Sequence, residues 1–361
     1  MKRILHIANA RMGSGGVESF LMNLYRNIDH EKMQMDFIVF SEEIGMHEAE
    51  IAKMGGRIYK VPRKQDGLLK NINAIRKIVK DHHYQIVHRH CDSAIMLLDI
   101  LAARIGGAKH IIAHSHSTNN EHSLIHKLCK PFLGRMVKHR FACSNAAGKW
   151  MFGNTTFTVI HNGIDCEKYK FNANTRKEKR IQLDIPEDTI VYSNISVFKK
   201  EKNLKFLINI FNEVHKQNHN SVLLLIGDGE LRSELESIVK NLTLEKAVLF
   251  LGQRTDVSDL FQMIDIFVLP SLYEGLPLTM VEAQTSGVFC YISNMVPREA
   301  ILNTKIVKQL PLEKGTDYWA KQLLDVPPIP ERDIAVNTIK KAGYDIKNTT
   351  SWLENFYLSL K

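Results

Sequence analysis

The chain has 361 residues, more than one hydrophobic core ordinarily serves, which points to two domains. With 44% apolar and 24% charged residues its composition is that of a folded globular protein, and its apolar runs fall short of the roughly 18 residues of a membrane span. The net charge of +9 comes with no basic-aromatic motif or nucleic-acid module, so nucleic acid is not an expected partner, and attraction to an anionic membrane face or an ordinary solvated surface remain.

In chain order, the basic start Met1-Lys-Arg-Ile-Leu-His-Ile leads into Gly13-Ser-Gly-Gly, which reads as a first strand and not as a signal peptide. Strand-like runs follow at 35–40, 57–61, 86–88, 110–113 and 140–143, with helical patterns at 18–28, 68–82 and 93–105. A segment with Lys127, Lys130, Arg135, Lys138 and Arg140 carries Leu128, Phe132, Leu133, Met136 and Val137 at roughly helical spacing. It reads either as a solvated helix with a core face or as a membrane-surface helix. The turn signal His161-Asn-Gly-Ile-Asp165 marks a boundary at 163/164, and a polar stretch, 172–179, follows it. The second half repeats the pattern, with strands at 190–195, 222–226, 248–251, 266–269 and 289–293 and helices at 203–217, 231–242 and 278–286. Such alternation means βαβ units, parallel sheets and right-handed crossovers. The expected fold class is α/β, with two doubly wound domains over 1–163 and 164–340. The tail carries Trp352, Phe356, Tyr357 and Leu360 as an apolar helical face. Five scattered cysteines, odd in number and without C-x-x-C spacing, read as reduced cytosolic thiols.

The segment Glu274-Gly-Leu-Pro-Leu-Thr-Met-Val-Glu282 passes from a strand end into a helix start, where ligands bind in open α/β sheets. Its first amides can receive phosphate or hydroxyl oxygens, and its two carboxylates suit a ligand rich in hydroxyls. A glycosidase-type acid and base pair is disfavoured, because Glu282 lies two turns into the helix. Gly13, Gly15 and Gly16 open the first helix without the G-x-G-x-x-G spacing of nicotinamide enzymes, so an oxyanion-approaching loop and a plain turn both stay open. Alternation puts His114 and His116 on one side, facing one cleft, while His122 and His126 at helical spacing raise a metal alternative. Substrate contact, structure and metal remain open for these histidines. Lys202, after the first strand of the second half, is a phosphate-facing candidate, although Lys199 and Lys200 crowd beside it. Gly227-Asp-Gly-Glu230 is another strand-end turn.

Together these segments resemble family-4 glycosyltransferases, the retaining sugar-nucleotide enzymes of GT-B architecture. The resemblance rests on Gly15-Gly-Val-Glu18, His114-Ser-His-Ser-Thr118, Asn162-Gly-Ile-Asp165, Glu201-Lys-Asn203, Gly227-Asp-Gly229, Phe250-Leu-Gly252, Pro270-Ser-Leu-Tyr-Glu-Gly-Leu-Pro277 and Val281-Glu-Ala-Gln284, in family order over nearly the whole chain. The detail looks most like the bacterial branch that builds exopolysaccharide and capsule. The resemblance implies two facing Rossmann-like domains and a C-terminal helix, within 341–361, crossing back to the first. It implies that Gly16 approaches the donor phosphate and the acceptor, and that His116, more than His114, contacts the transferred sugar. Lys202 would neutralise the departing diphosphate. Glu274 and the amides of Gly275, Leu276 and Leu278 would hold sugar hydroxyls, and Glu282 the ribose. It further implies a UDP-sugar donor, a lipid-linked saccharide acceptor, no metal and no cofactor beyond the co-substrate, and a cytoplasmic place on the inner membrane face.

One departure stands out. The family's usual Gly-Arg before the Lys aligns with Ser196-Val197 here, and Asn294 stands where Asp is common. Losing an electrostatic contact of that kind costs about 3–4 kcal/mol of transition-state stabilisation in comparable sites. A catalytically impaired nucleotide-sugar or partner-binding protein, and a sugar-nucleotide 2-epimerase, are therefore the alternatives.

Overall fold

Val222-Leu-Leu-Leu-Ile is apolar at every position, which suits a strand covered on both faces. In the computed structural model that segment is buried throughout. The structure describes every residue except 9, 10, 14, 118–122, 304, 326–331, 333 and 334. The chain divides into two units, one of 1–163 with 346–361 and the other of 164–345.

The first unit is built on a parallel sheet. Its strands are β1 (Lys2–Ile7), β2 (Met33–Val39), β3 (Ile58–Lys60), β4 (Ile86–Cys91), β5 (His110–Ser115), β6 (His139–Ala142) and β7 (Thr158–Val159), in the order β3-β2-β1-β4-β5-β6-β7. The order reverses between β1 and β4, so connections leave to opposite faces there, the doubly wound arrangement. Register sets His6 beside His88 and His90 beside His114. Partners in a parallel ladder share a face, so these histidines line one side of the sheet. The tail helix, Ile346–Ser359, completes that side. Ile346, Leu353 and Tyr357 are buried among Phe20, Phe37 and Phe141, and Lys2 Nζ donates to the carbonyls of Tyr357 and Leu358 at 3.1 and 2.9 Å. Of the apolar face expected for the tail, Trp352 is 43% exposed and stacks on Phe356 at the margin.

The second unit has a parallel sheet of β8 (Ile190–Ile195), β9 (Ser221–Ile226), β10 (Val248–Gly252), β11 (Ile266–Leu269), β12 (Phe289–Ser293) and β13 (Val307–Leu310), ordered β10-β9-β8-β11-β12-β13. Its reversal falls between β8 and β11. The edge strand β13, Val-Lys-Gln-Leu, has no apolar run and was not legible as a strand.

The polar stretch at 172–179 is a helix, Ala173–Gln182. The Asn172 side chain accepts from the amides of Asn174 and Thr175, and so caps its start. The helix docks by charge: Arg176 and Arg180 donate to the two oxygens of Asp265 at 2.7 and 2.8 Å. Among the described residues no helix is long and apolar enough to cross a membrane.

Candidate active site

At the reversal of the second sheet, the loops after β8 and β11 meet. The Leu272 amide donates to the Glu201 carbonyl at 2.8 Å, and Asn203 Nδ2 to the Pro270 carbonyl at 3.1 Å. Asn203 holds a left-handed φ of 55°, a conformation Asn tolerates better than most residues, and so turns the chain into the helix Leu204–Gln217. These ties bring two of the expected residues together. Lys202 Nζ donates to both carboxylate oxygens of Glu274, at 2.7 and 2.9 Å, and Ser271 Oγ donates to the first at 2.7 Å. Glu274 is buried, so its charge depends on these partners.

Glu274 leads through Gly275 to the helix Leu278–Thr285, which Pro277 precedes without a capping side chain. The side chains of Leu276 and Leu278 pack with Ile164, Cys166, Val281 and Tyr344. What these two residues offer a ligand is therefore backbone amide, at a helix start where orphan donors collect. One turn into this helix, and not the two expected from the sequence because the helix starts only at Leu278, Glu282 Oε1 accepts from the Tyr169 hydroxyl at 2.8 Å. The residue keeps some surface, but its carboxyl is enclosed; burial pushes its pKa up to about 7, with the tyrosine bond acting against the shift. Tyr169 was not anticipated; it lies in the connection after the boundary turn, where no pattern marks it.

Beside this site the turn after β9 braces the loop after β8. Gly227 has φ +133°, and a Cβ there would lie 1.9 Å from the Ser196 carbonyl oxygen, so only glycine fits. The Phe198 amide donates to the Asp228 carbonyl at 2.9 Å. Val197 is 38% exposed on this loop, and Lys199 and Lys200 are exposed next to it.

In the first unit Gly16 starts the helix Gly16–Asn27, and a Cβ there would meet nothing within 4 Å among the described residues. Packing among the described residues does not demand glycine at that position. His116 follows the end of β5, its amide donating to the Cys91 carbonyl at 3.2 Å. His114 and His116 do lie on one side, with ring centroids 4.1 Å apart. Yet His114 does not face a cleft: it is fully buried, with Nδ1 3.2 Å from His88 Nε2. His90 Nδ1 lies 2.9 Å from His116 Nε2, and His6 Nδ1 3.0 Å from His90 Nε2. Burial holds all five histidines in the neutral form, with His6 and His116 down at about 3. His6, His88 and His90 escaped the sequence reading, although His-x-His in β4 repeats the alternation seen at 114 and 116. His122 lies outside the described residues. His126 stacks on Trp150 at 4.3 Å and accepts the Ala94 amide at Nδ1, which are structural contacts.

Two parallel-sheet Rossmann-like units are the architecture of the GT-B glycosyltransferases. Residues 14–168 match the family model described as Glycosyltransferase Family 4, and residues 175–310 the model described as Glycosyl transferases group 1. The chain is 31% identical to EpsF of Bacillus subtilis (strain 168), named as a glycosyltransferase, across 99% of this chain and 96% of that one. It is 28% identical to the UDP-Gal:alpha-D-GlcNAc-diphosphoundecaprenol alpha-1,3-galactosyltransferase of Escherichia coli, over 63% of this chain and 62% of that one. Among solved structures, Anabaena Alr3699/HepE in complex with UDP and glucose superposes with a TM-score of 0.80 at 18% identity, covering all of both chains. The chain belongs to the family-4 glycosyltransferases.

Proposed function

We propose that this glycosyltransferase moves a sugar from a UDP-sugar to a lipid-linked saccharide during bacterial surface polysaccharide synthesis, with retention at the anomeric carbon. The observation that carries the reading is the Lys202–Glu274 pair at the strand reversal, with Glu282 one turn into the adjoining helix. Without donor, lysine and carboxylate satisfy each other. A diphosphate arriving at the loop competes for Lys202 Nζ, and its sugar hydroxyls take up Glu274 and the amides of Gly275, Leu276 and Leu278. Glu282 accepts from the ribose diol. Lys202 then stabilises the departing diphosphate, which serves as base toward the acceptor hydroxyl on the donor face, and the transfer needs no metal. Gly16 leaves room for phosphate and acceptor, and His116 meets the transferred sugar. The galactosyltransferase relative, named for a UDP-linked donor and a diphosphoundecaprenol acceptor, supports this choice of substrates.

Apposition to the inner face of the cell membrane belongs to the same reading. The helix Ser123–Met136 buries Leu133 against the core, yet leaves Leu124, Leu128 and Phe132 between 58% and 74% exposed. Exposed Lys127 and Arg135 share this helix, the composition of an interfacial helix on anionic lipid.

The test is a thermal-shift screen of the purified chain against UDP-, GDP- and ADP-sugars, followed by product analysis with a lipid-linked acceptor. Stabilisation by a UDP-sugar, lost in Glu282→Ala, is the expected result; absence of binding and of slow donor hydrolysis with every nucleotide sugar would sink the proposal. Exposed Val197 favours one second reading, a donor-binding protein with impaired transfer. In that case Val197→Arg raises turnover by about 100-fold or more. If Lys199 or Lys200 supplies the missing charge, the substitution gains nothing.

A further inference from the structure

Tyr169 lies in the connection between the boundary turn and the helix Ala173–Gln182, and that connection is tied to the second unit at both ends. The Ile164 amide donates to the Tyr344 carbonyl at 2.9 Å, and the Asn172 amide donates to Gln262 Oε1 at 3.0 Å. Between these ties the Tyr169 ring packs, with Leu276, against two apolar clusters and meets the Phe261 ring edge-on, centroids 5.9 Å apart. Packing accounts for the ring but not for the hydroxyl, since phenylalanine would fill the same space. The hydroxyl donates to Glu282 Oε1, and among the described residues no other hydrogen bond reaches that carboxyl. The lone pairs of Oε2 are left uncommitted.

We propose that Tyr169 is a positioning residue for the nucleoside: its hydroxyl holds Glu282 Oε1 and so presents Oε2 to the ribose diol. This role rests on Glu282 taking the ribose, and adds the group that aims it. A glutamate left unheld has to be immobilised as the ligand arrives, and the lost rotamer freedom is subtracted from the affinity. A carboxylate fixed at one oxygen has given up that freedom in the free protein. Tyrosine suits the task, because it has only two side-chain torsions and its ring is already packed. The phenol also donates to the charged form and opposes the burial that drives this carboxyl towards neutrality. It thereby keeps Glu282 an acceptor towards two donating hydroxyls. Phenylalanine at this position would retain the packing and lose both effects. Tyr169 acts on how tightly the nucleotide is held and not on the departure of the diphosphate at Lys202.

Titration calorimetry of the full-length chain with UDP and with 2′,3′-dideoxy-UDP tests the proposal, because the second ligand lacks the hydroxyls that Glu282 is held to receive. Tyr169→Phe, shown to be folded by circular dichroism, should weaken UDP by about tenfold and 2′,3′-dideoxy-UDP by less than about twofold. A tyrosine that only supports the fold would weaken both nucleotides alike. In a Glu282→Ala background the same substitution should change UDP affinity by less than about twofold, since the tyrosine acts through that carboxyl. Equal losses for the two nucleotides in Tyr169→Phe, no loss for either, or a tenfold loss that persists without Glu282 would each overturn the positioning role and leave the ribose contact standing. Failure of the ribose contact itself has a different signature: Glu282→Ala that weakens both nucleotides equally, or a natural chain that binds no UDP.

Discussion

The Glu282 carboxyl titrates near pH 7 in the folded chain against an ordinary value of 4.5, because burial disfavours its charge. Below pH 4.5 it is protonated in folded and unfolded chains alike and contributes nothing to pH dependence. Between 4.5 and 7 the folded chain holds a proton that the unfolded chain releases, so stability falls as pH rises, and above 7 the penalty is constant. Glu282→Gln keeps the acceptor for Tyr169 and removes that penalty. The variant should be more stable than the natural chain by about 2–3 kcal/mol at pH 8 and little different at pH 4, as denaturant melts at the two pH values would measure. The same substitution weakens nucleotide-sugar binding if the carboxylate receives the ribose. A variant no more stable at pH 8 would mean that water reaches the carboxyl more freely than its surroundings indicate.

At the scale of elements, legibility followed the source of each element's stability. Strands such as β9 and β11 are held by apolar burial and were readable as apolar runs, whereas the helix Ala173–Gln182 is held by arginines on Asp265 and showed no apolar period. Strand-end position and residue type single out Glu274, Lys202 and Glu282, and the structure brings Lys202 and Glu274 into contact. Tyr169, Ser271 and the histidines of β1 and β4 act through tertiary neighbours that spacing alone does not reveal. The helix Ser123–Met136 divides the two readings its sequence allowed: Leu133 belongs to the core, while Leu128 and Phe132 are exposed. Because those two side chains are mostly exposed, Leu128→Glu with Phe132→Glu should leave the melting temperature within about 2–4 °C, the shift expected of surface changes. Binding to vesicles containing anionic lipid, read by co-sedimentation, should fall by about tenfold or more, since both the apolar contact and the charge attraction suffer. Undiminished binding would remove this helix from the membrane contact.

For the whole molecule, each unit has its own sheet and its own core, and the chain visits the first unit twice. This partition predicts two unfolding steps that respond to different changes. Leu353 is fully buried in the tail helix, and cutting it to alanine should cost about 2–5 kcal/mol. That loss falls on the unit of 1–163 and 346–361, leaving the step of 164–345 in place. A nucleotide sugar bound by Lys202, Glu274 and Glu282 should do the converse. At 100 times its dissociation constant it adds about 2.7 kcal/mol, and through Lys202, Glu274 and Glu282 this falls chiefly on the second unit. Scanning calorimetry of the natural chain and of Leu353→Ala, each with and without UDP-sugar, separates the two. One step moving with the mutation and the other with the ligand is the expected pattern. A single transition shifted equally by both would show that the two cores unfold as one.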